Sequence, residues 1–381
     1  MSISRRLSPF GVTIFTEMTD LAAAHDAINL GQGFPDWDGP DFVKEAAVRS
    51  MEGGHDQYPA SPGIPELRAA LAERYGPLLG RELSPGSEIT VTSGCTEALT
   101  AAFLGLIDPG DEVILIEPYY DSYPVGLALV DAVPRYVTLR PPDFRLDSDE
   151  LRAAFSPKTR AIVVNTPHNP TGHVFDRSEL ETIAGLCHTY DAVAITDEVY
   201  EDIVFEPQHT RLATIDGMWD RTITLSSIGK TYSLTGWKVG WAIGPPPLTA
   251  GLRAAHQFLT FTTPTPVQHG AVAAVGAPDE FYAELRASYR SRRDLLVDGL
   301  AAAGLSPFRP QGTYFVMADH TAFGFSDDRA FCRHLIEKVG VAAIPPSVFY
   351  HRPEDGASLV RFAFCKDEST LREAVDRLSR L

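Results

Sequence analysis

The sequence is short of lysine and of long hydrophobic runs. Only six of its 33 basic residues are lysine, and two of these, Lys230 and Lys238, lie eight residues apart in one glycine- and aromatic-rich segment. No apolar run approaches the roughly 18–20 residues that a membrane-spanning helix needs, so we expect none. Residues 1–17 contain no continuous apolar stretch, and we expect no secretory signal.

Cysteine is also scarce, and positive charge is in deficit. The four cysteines are widely spaced, with no CxxC pair, which argues against both a zinc site and a disulfide framework. Isolated thiols of this kind are typical of a reducing cytoplasm. With 50 acidic residues and a net charge of −17, the chain is not expected to have nucleic acid or an anionic membrane as its main partner, since both favour basic surfaces.

The pattern along the chain predicts an α/β fold. Between residues 88 and 245, helical patterns separate short runs that are mostly apolar throughout, as in strands buried on both faces. Such an alternation predicts crossover helices and a mostly parallel sheet, whose ligands bind at the carboxyl ends of the strands. The runs are residues 89–92, 113–116, 161–164, 192–195 and 222–225. After about residue 280, a charged helix, a strand and an amphipathic helix predict a smaller α+β unit.

Lys230 ends one of these strands. The Gly-Lys-Thr at 229–231 suggests a P-loop, but the glycine required five positions before Gly229 is replaced by Thr224, which excludes a nucleotide hydrolase of that type. Beside Tyr232 and Trp237, Lys230 is expected to be partly desolvated and therefore nucleophilic. Taken alone, it fits a surface lysine on a loop better than a nucleophile.

Two other strand ends carry polar side chains. Asp197 follows an apolar strand, where burying it without a cation would cost several kcal/mol. A protonated pyridine nitrogen is such a cation, and a plain helix N-cap is the alternative. Residues 165–172 form a turn that brings two amides to the ligand edge of the sheet, and Asn169 can donate to a phenolate oxygen there.

Residues 93–96 form a strand-to-helix turn that offers an anion site. The free N–H groups of a helix N-terminus attract negative charge, and Ser93 or Thr96 as an N-cap is compatible with that. Ser227 and Lys238 can supply a hydroxyl and a cation to the same anion. A nucleophilic lysine, an acid for a ring nitrogen, an amide for a ring oxygen and a phosphate site together fit pyridoxal phosphate.

The ordered motifs resemble those of the class I/II aminotransferases of fold type I, in particular the kynurenine/glutamine aminotransferase subgroup. Bacterial N-succinyldiaminopimelate aminotransferase is also similar. The resemblance rests on NLGQGFPD (29–36), QY (57–58), NTPHNPTG (165–172), DEVY (197–200), SIGK (227–230), GWKVGW (236–241) and VRF (360–362). It implies a large pyridoxal-phosphate-binding domain with a mostly parallel central sheet (39–280), a smaller α+β domain (281–381), and an N-terminal arm that joins the smaller domain (1–38).

The resemblance also implies roles for individual residues. Lys230 would be the Schiff-base lysine, Asp197 would pair with the pyridine nitrogen, and Tyr200 would act with them in catalysis. Further cofactor contacts would come from Gly94, Cys95, Thr96, Tyr120, Asn169, Ser227, Lys238 and Tyr58. Arg361 would bind the substrate α-carboxylate in bidentate fashion through its planar guanidinium group. The other substrate-binding residues would be Gly33, Asn169, Phe15 and Phe261.

The activity implied is a ping-pong transfer of an amino group between an L-amino acid and a 2-oxo acid, in a cytoplasmic homodimer with shared sites and no metal. Candidate substrates are glutamine, methionine, aromatic amino acids including kynurenine, and N-succinyl-diaminopimelate. Three residues depart from the kynurenine-type pattern. Phe15 stands where those enzymes carry Trp, Thr96 stands where they often carry an aromatic residue, and His168 stands where Asn is usual. The alternative is a β-lyase that cleaves cysteine S-conjugates with the same cofactor. A non-catalytic regulator is a weaker alternative.

Overall fold

The computed structural model describes residues 3–206 and 208–381. Over these residues the strands are β1 (Ile28–Asn29), β2 (Ile89–Thr92), β3 (Glu112–Glu117), β4 (Val133–Thr138), β5 (Thr159–Asn165), β6 (Val193–Asp197), β7 (Thr222–Ser227), β8 (Gly240–Ile243), β9 (Ser306–Phe308), β10 (Phe315–Asp319), β11 (Val341–Ala342) and β12 (Leu359–Ala363). The α-helices are α1 (Ile14–Ala24), α2 (Asp41–Glu52), α3 (Pro65–Leu79), α4 (Gly94–Leu106), α5 (Ser122–Leu129), α6 (Ser148–Ala154), α7 (Arg177–Tyr190), α8 (Ile228–Thr231), α9 (Pro246–Leu259), α10 (Thr265–Val275), α11 (Asp279–Ala302), α12 (Asp328–His334) and α13 (Glu368–Leu378).

Seven strands form the central sheet, in the order β2-β8-β7-β6-β5-β3-β4. Only β8 runs antiparallel to its neighbours, so the sheet is mostly parallel, as predicted. Every residue of β2, β3, β6 and β7 is buried. Helices cover both faces of these strands, which explains why β3 and β6 are apolar through their centres and why even the threonine and serine residues of β2 and β7 are buried.

The topology brings the polar segments of the sequence to one edge of this sheet. Residues that follow a parallel strand all emerge at its carboxyl end, as do the residues after β2, β3, β5, β6 and β7. Because β8 runs the opposite way, the residues that precede it emerge at the same edge. Lys238 and Lys230 therefore meet there although they flank different strands.

A second unit is built from both ends of the chain. A three-stranded antiparallel sheet has the order β12-β10-β9, and β1 pairs in parallel with β11, with Ile28 opposite Val341. Apolar residues of α1, α11, α12 and α13 share one hydrophobic core with these strands. The proposed boundaries at 38/39 and 280/281 stay predictions.

In the central sheet, two strands and one helix boundary were not predicted; outside it, the short strands β1, β9 and β11 were not predicted either. In β4 the first four positions are exposed or half-buried, and β8 is only four residues long and follows directly on a motif segment. Helix α4 begins at Gly94, three residues before the periodic pattern that starts at Glu97. None of the helices in the described part of the chain is long and apolar enough to cross a membrane.

Candidate active site

A cavity of about 290 Å³ lies at the carboxyl edge of the central sheet, between it and the second unit. We call it the central cavity. It is lined by residues from α1, from β10 and β12, and from the segments at the strand ends. Thirteen of the predicted site residues line it, namely Phe15, Gly33, Gly94, Cys95, Thr96, Tyr120, Asn169, Asp197, Tyr200, Ser227, Lys230, Lys238 and Arg361.

Asp197, the last residue of β6, is a buried carboxylate with polar partners. The Tyr123 hydroxyl donates to its Oδ2 at 2.8 Å, and Cys95 Sγ lies 3.5 Å from its Oδ1. Burial raises the pKa of Asp197, an effect that the hydrogen bonds from Tyr123 and the Val199 N–H oppose. A cation beside this carboxylate would stabilise its charged form.

Lys230 lies in the one-turn helix α8, directly after β7. Burial lowers the pKa of its amine, although charge from Cys365 and Asp197 acts in the opposite direction. Its Nζ is 5.9 Å from the ring centroids of both Tyr200 and Tyr314. A lysine whose pKa is lowered in this way has a larger neutral fraction and is a better nucleophile and base.

The N-terminus of α4 and the start of β8 form a tight anion-binding turn. Gly94 has φ +77°, and a Cβ on it would lie 3.2 Å from Lys238 Nζ. A Cβ on Gly240 would come within 2.5 Å of the Gly94 carbonyl carbon. Only glycine permits this approach, which sets the free N–H groups of the helix beside the lysine ammonium. Lys238 Nζ also lies 3.5 Å from Thr96 Oγ1.

Arg361, in β12, is a buried cation that forms no ion pair with a carboxylate in the described part of the chain. Its side chain is 1% exposed, and it donates to Asn169 Oδ1 at 3.3 Å and to the Gly31 carbonyl at 2.9 Å. Its Nε has no hydrogen-bond partner among the described residues. Burial lowers the pKa of Arg361 to about 10, so the guanidinium stays charged at neutral pH and is suited to bind a ligand carboxylate.

Aromatic rings enclose this guanidinium. Its central carbon lies 4.2 Å from the Phe315 ring centroid, 5.2 Å from that of Phe15 and 5.3 Å from that of Phe349. Stacking of this kind is favourable for arginine and excludes water. Phe315 and Phe349 were not predicted, because nothing local to residues 315 or 349 indicates that β10 and the short 3-10 helix Pro346–Phe349 meet β12.

The two asparagines of the 165–172 turn connect the arginine to the strand end at Asp197. The Asn169 N–H donates to Asn165 Oδ1 at 2.7 Å, and Asn165 Nδ2 donates to the Asp197 carbonyl at 2.8 Å. Since Arg361 occupies Asn169 Oδ1, the amide nitrogen of Asn169 remains the donor of that side chain.

Gly33 and Tyr200 pack against the same pair of aromatic residues. The Tyr314 hydroxyl donates to the Gly33 carbonyl at 2.6 Å, and a Cβ on Gly33 would lie 2.6 Å from the Phe315 ring. Tyr200 meets Tyr314 edge to face, with 5.2 Å between ring centroids, and burial raises the pKa of its hydroxyl. Gly33 is therefore required for close packing.

Three singled-out residues lie outside the central cavity. Tyr58 is 84% exposed and Phe261 45% exposed. Their rings pack edge to face against each other with 5.5 Å between the ring centroids, and neither ring lines the central cavity. His168 is buried, with Nδ1 2.8 Å from Thr171 Oγ1. Burial lowers the pKa of His168 to about 3, so this histidine is neutral and structural.

Tyr123 is the polar residue that the sequence analysis missed. It lies in α5, three residues after Tyr120, and its ring packs edge to face against that residue at 5.7 Å. Tyr120 lies in the segment before α5, which begins at Ser122, so helical spacing does not relate the two tyrosines in the sequence. No group of three or more His, Cys, Asp or Glu in the described ranges is arranged to hold a metal ion.

The family is shown by comparison with known proteins. The model of "Aminotransferase class I and II" matches residues 25–378, so the chain belongs to the class I and II aminotransferases. It is an enzyme of the fold type I architecture that this site and sheet display.

Its relatives are named for different substrates. The chain is 47% identical to the probable N-succinyldiaminopimelate aminotransferase DapC of Mycobacterium tuberculosis, over 100% of this chain and 98% of that protein. It is 40% identical to a kynurenine–oxoglutarate transaminase of Dictyostelium discoideum, over 99% and 96%. A solved Escherichia coli structure, described as identifying a methionine aminotransferase function, superposes with a TM-score of 0.96 at 40% identity and covers 100% of each chain. Family membership therefore defines the reaction class and not the substrate.

Proposed function

We propose that this aminotransferase uses pyridoxal 5′-phosphate, bound in the central cavity, to move an amino group between an L-amino acid and a 2-oxo acid. One observation carries the proposal: a desolvated lysine, a buried carboxylate and a cationic helix N-terminus line the same cavity. The lysine would bind the cofactor's aldehyde, the carboxylate its ring nitrogen, and the helix N-terminus its phosphate.

The residues present fit this cofactor. Asp197 is buried without a cation in contact, and a protonated ring nitrogen would supply one. The turn formed by Gly94, Gly240 and Lys238 leaves backbone N–H groups and an ammonium for a phosphate. Ser227 adds a hydroxyl at the end of β7, and Tyr120 offers an aromatic face beside the cavity.

The mechanism divides the work among few residues. When bound, the cofactor supplies an electron-accepting ring that stabilises negative charge at the substrate Cα. Arg361 binds the α-carboxylate and orients the Cα–H bond. Lys230 Nζ, whose pKa burial lowers, removes the proton from Cα of the amino acid in one half-reaction and donates a proton to Cα of the 2-oxo acid in the other, as a general base and acid. Asp197 would stabilise positive charge on the cofactor's ring nitrogen, and Asn169 and Tyr200 would donate hydrogen bonds to its ring oxygen.

Charge in the cavity supports a substrate class. Among the described residues, the cations that line the cavity are Lys230, Lys238 and Arg361, and each has a role above. We therefore propose a donor with a neutral side chain, such as glutamine, methionine or an aromatic amino acid including kynurenine. The relative from Mycobacterium tuberculosis keeps N-succinyl-diaminopimelate among the candidates, and its acceptance requires a cation from outside this chain's cavity.

We also propose a cytoplasmic homodimer. The exposed Tyr58–Phe261 pair and the adjacent Phe258, which is 86% exposed, form an apolar projection that a second subunit would bury. The four cysteines are unpaired thiols, which favours a reducing compartment.

A donor and acceptor panel tests the proposal. Purified protein should show the visible absorbance of bound pyridoxal phosphate and should transaminate neutral amino acids faster than aspartate. Protein that binds no pyridoxal phosphate would contradict the cofactor. Faster turnover of aspartate than of every neutral donor would contradict the substrate class.

A further inference from the structure

Behind the phosphate-binding turn lies a buried histidine that the mechanism does not use. His256, in the last turn of α9, has a fully buried side chain. Its Nδ1 is 2.9 Å from Glu97 Oε1, and its Nε2 is 2.8 Å from the Ser61 carbonyl oxygen. Glu97 Oε2 in turn accepts from the Ser93 N–H at 2.8 Å.

These contacts define the charge of the imidazole. A carbonyl oxygen only accepts hydrogen bonds, and an ionised carboxylate also only accepts. Both ring nitrogens of His256 must therefore carry a proton, which makes the ring an imidazolium. The proton belongs to the histidine and not to Glu97, because the usual pKa of histidine is about two units above that of glutamate.

The groups that surround His256 agree with its assignment as an imidazolium. Helix α4 presents Glu97, residues 57–64 present the Ser61 carbonyl, and α9 itself presents Arg253, whose charge opposes protonation. Burial also lowers the pKa of His256, but the hydrogen bond and charge of Glu97, together with the hydrogen bond to the Ser61 carbonyl, outweigh burial and Arg253, and the net shift is upward from 6.5.

The position of this pair relates it to the site. Glu97 is in the first turn of α4, and the N-terminus of that helix is part of the phosphate-binding turn. An unpaired carboxylate there would repel a bound phosphate. Ser61 follows Tyr58 by three residues, and the His256 carbonyl accepts from the Phe261 N–H at 3.2 Å. The His256 side chain thus joins the phosphate-binding turn to the Ser61 segment, and its backbone carbonyl contacts the Phe261 segment.

We infer that His256, as an imidazolium, is a positioning residue that neutralises Glu97 behind the phosphate-binding turn and fixes that turn to the Ser61 segment. The inference rests on the proposed phosphate site. It makes anion affinity dependent on the charge of a residue that does not touch the anion.

The sign of the pH effect follows. The histidine is charged below its raised pKa and loses its proton as pH rises through that value, above 6.5. Pyridoxal phosphate and inorganic phosphate should then bind more weakly, because Glu97 is no longer neutralised. In Glu97→Gln this pH-dependent step should disappear.

A double-mutant cycle tests the inference. The dissociation constants of pyridoxal phosphate and of inorganic phosphate are measured at pH 7 for wild type, H256Q, E97Q and the double variant. We expect H256Q to weaken binding about tenfold, the size of one charged hydrogen bond, and E97Q to restore most of that loss. His320→Gln is the matched control, since His320 is also buried and bonded to a carbonyl, that of Ala357; it should leave both constants unchanged.

Two results would overturn the inference: no change in H256Q, or losses in the double variant that simply add. A separate readout needs no cofactor: nitrogen NMR of ¹⁵N-histidine-labelled protein should show both His256 nitrogens protonated at pH 7, and a neutral ring would contradict the account. If wild type binds phosphate but not pyridoxal phosphate, the proposed function fails while this inference stands.

Discussion

The two ends of the central cavity hold their charges in different ways. At the lysine end, which comprises Lys230, Lys238 and Asp197, polar groups of the protein contact two of the three charged side chains: Tyr123 donates to Asp197, and Lys238 Nζ lies 3.5 Å from Thr96 Oγ1. At the arginine end, Arg361 is surrounded by Phe15, Phe315 and Phe349, and its Nε has no partner among the described residues.

This difference corresponds to two kinds of ligand: a cofactor that stays bound and a substrate that exchanges in every turnover. A charge that holds a resident cofactor is stabilised by partners built into the fold, as at the lysine end. A charge that binds each substrate in turn needs donors that no protein carboxylate already occupies, and stacked rings provide support without competing for them. Asn169 joins the two ends, because it accepts from Arg361 at 3.3 Å.

Removing the amine at the lysine end has the largest expected effect. Lys230→Ala eliminates the proton carrier and the covalent attachment point, so kcat should fall by about 10⁴-fold or more. Turnover with excess pyridoxal phosphate measures this. The Lys366→Ala variant, a buried lysine bonded to the Phe34 carbonyl outside the cavity, should retain activity; comparable losses in both variants would contradict the role of Lys230.

Asp197→Asn should be the next most damaging. It keeps the shape of the side chain but removes a charge that pairs with a cation in a buried site, where such a loss costs about 3–5 kcal/mol. We therefore expect kcat/KM to fall by about 10²–10³-fold. Glu117→Gln, at a buried carboxyl bonded to Thr138, is the control and should change kcat/KM little; near-normal activity of Asp197→Asn would refute the electrostatic role.

Arg361→Lys tests the opposite end. Lysine keeps the charge but cannot bond a carboxylate in bidentate fashion or stack on three rings, so KM should rise about 10–100-fold with a smaller change in kcat. Steady-state kinetics with a neutral amino acid separates the two constants. Arg293→Lys, another buried arginine, should leave KM unchanged, and a fall in kcat alone for Arg361→Lys would contradict carboxylate binding.

Tyr123→Phe should have the smallest effect of the four. It removes one hydrogen bond that lowers the pKa of Asp197, so that pKa rises and the acid limb of the kcat/KM profile moves to higher pH. Activity at pH 7 should fall up to about tenfold. Tyr282→Phe removes a buried hydroxyl outside the cavity and should not move the profile; an unmoved profile in Tyr123→Phe would show that Tyr123 does not act through Asp197.

The sequence predicted one of these ends better than the other. Lys230, Asp197 and Asn169 follow buried strands, and the rule that parallel strands end at one edge is enough to bring them together. The rings around Arg361 come from α1, from β10 and from the 3-10 helix Pro346–Phe349, and no periodicity in the sequence relates these segments. The same holds for His256, whose partners Glu97 and Ser61 are 159 and 195 residues away.

The short strand β8 is the other instructive omission. Its four residues follow the Lys238 segment without a turn signal, and its antiparallel direction depends on pairing with β2 and β7. That reversal is what places Lys238 at the same edge as Lys230. The proximity of the two lysines is therefore a property of the topology and not of their spacing of eight residues.

Covalent trapping tests the central claim most directly. Protein incubated with pyridoxal phosphate and reduced with borohydride should carry the cofactor on the Lys230 peptide, identified by mass spectrometry after digestion. The chain has only six lysines, so the assignment is unambiguous. The account predicts label on Lys230 alone in stoichiometric amount; label on Lys238 or another lysine, or none, would contradict it.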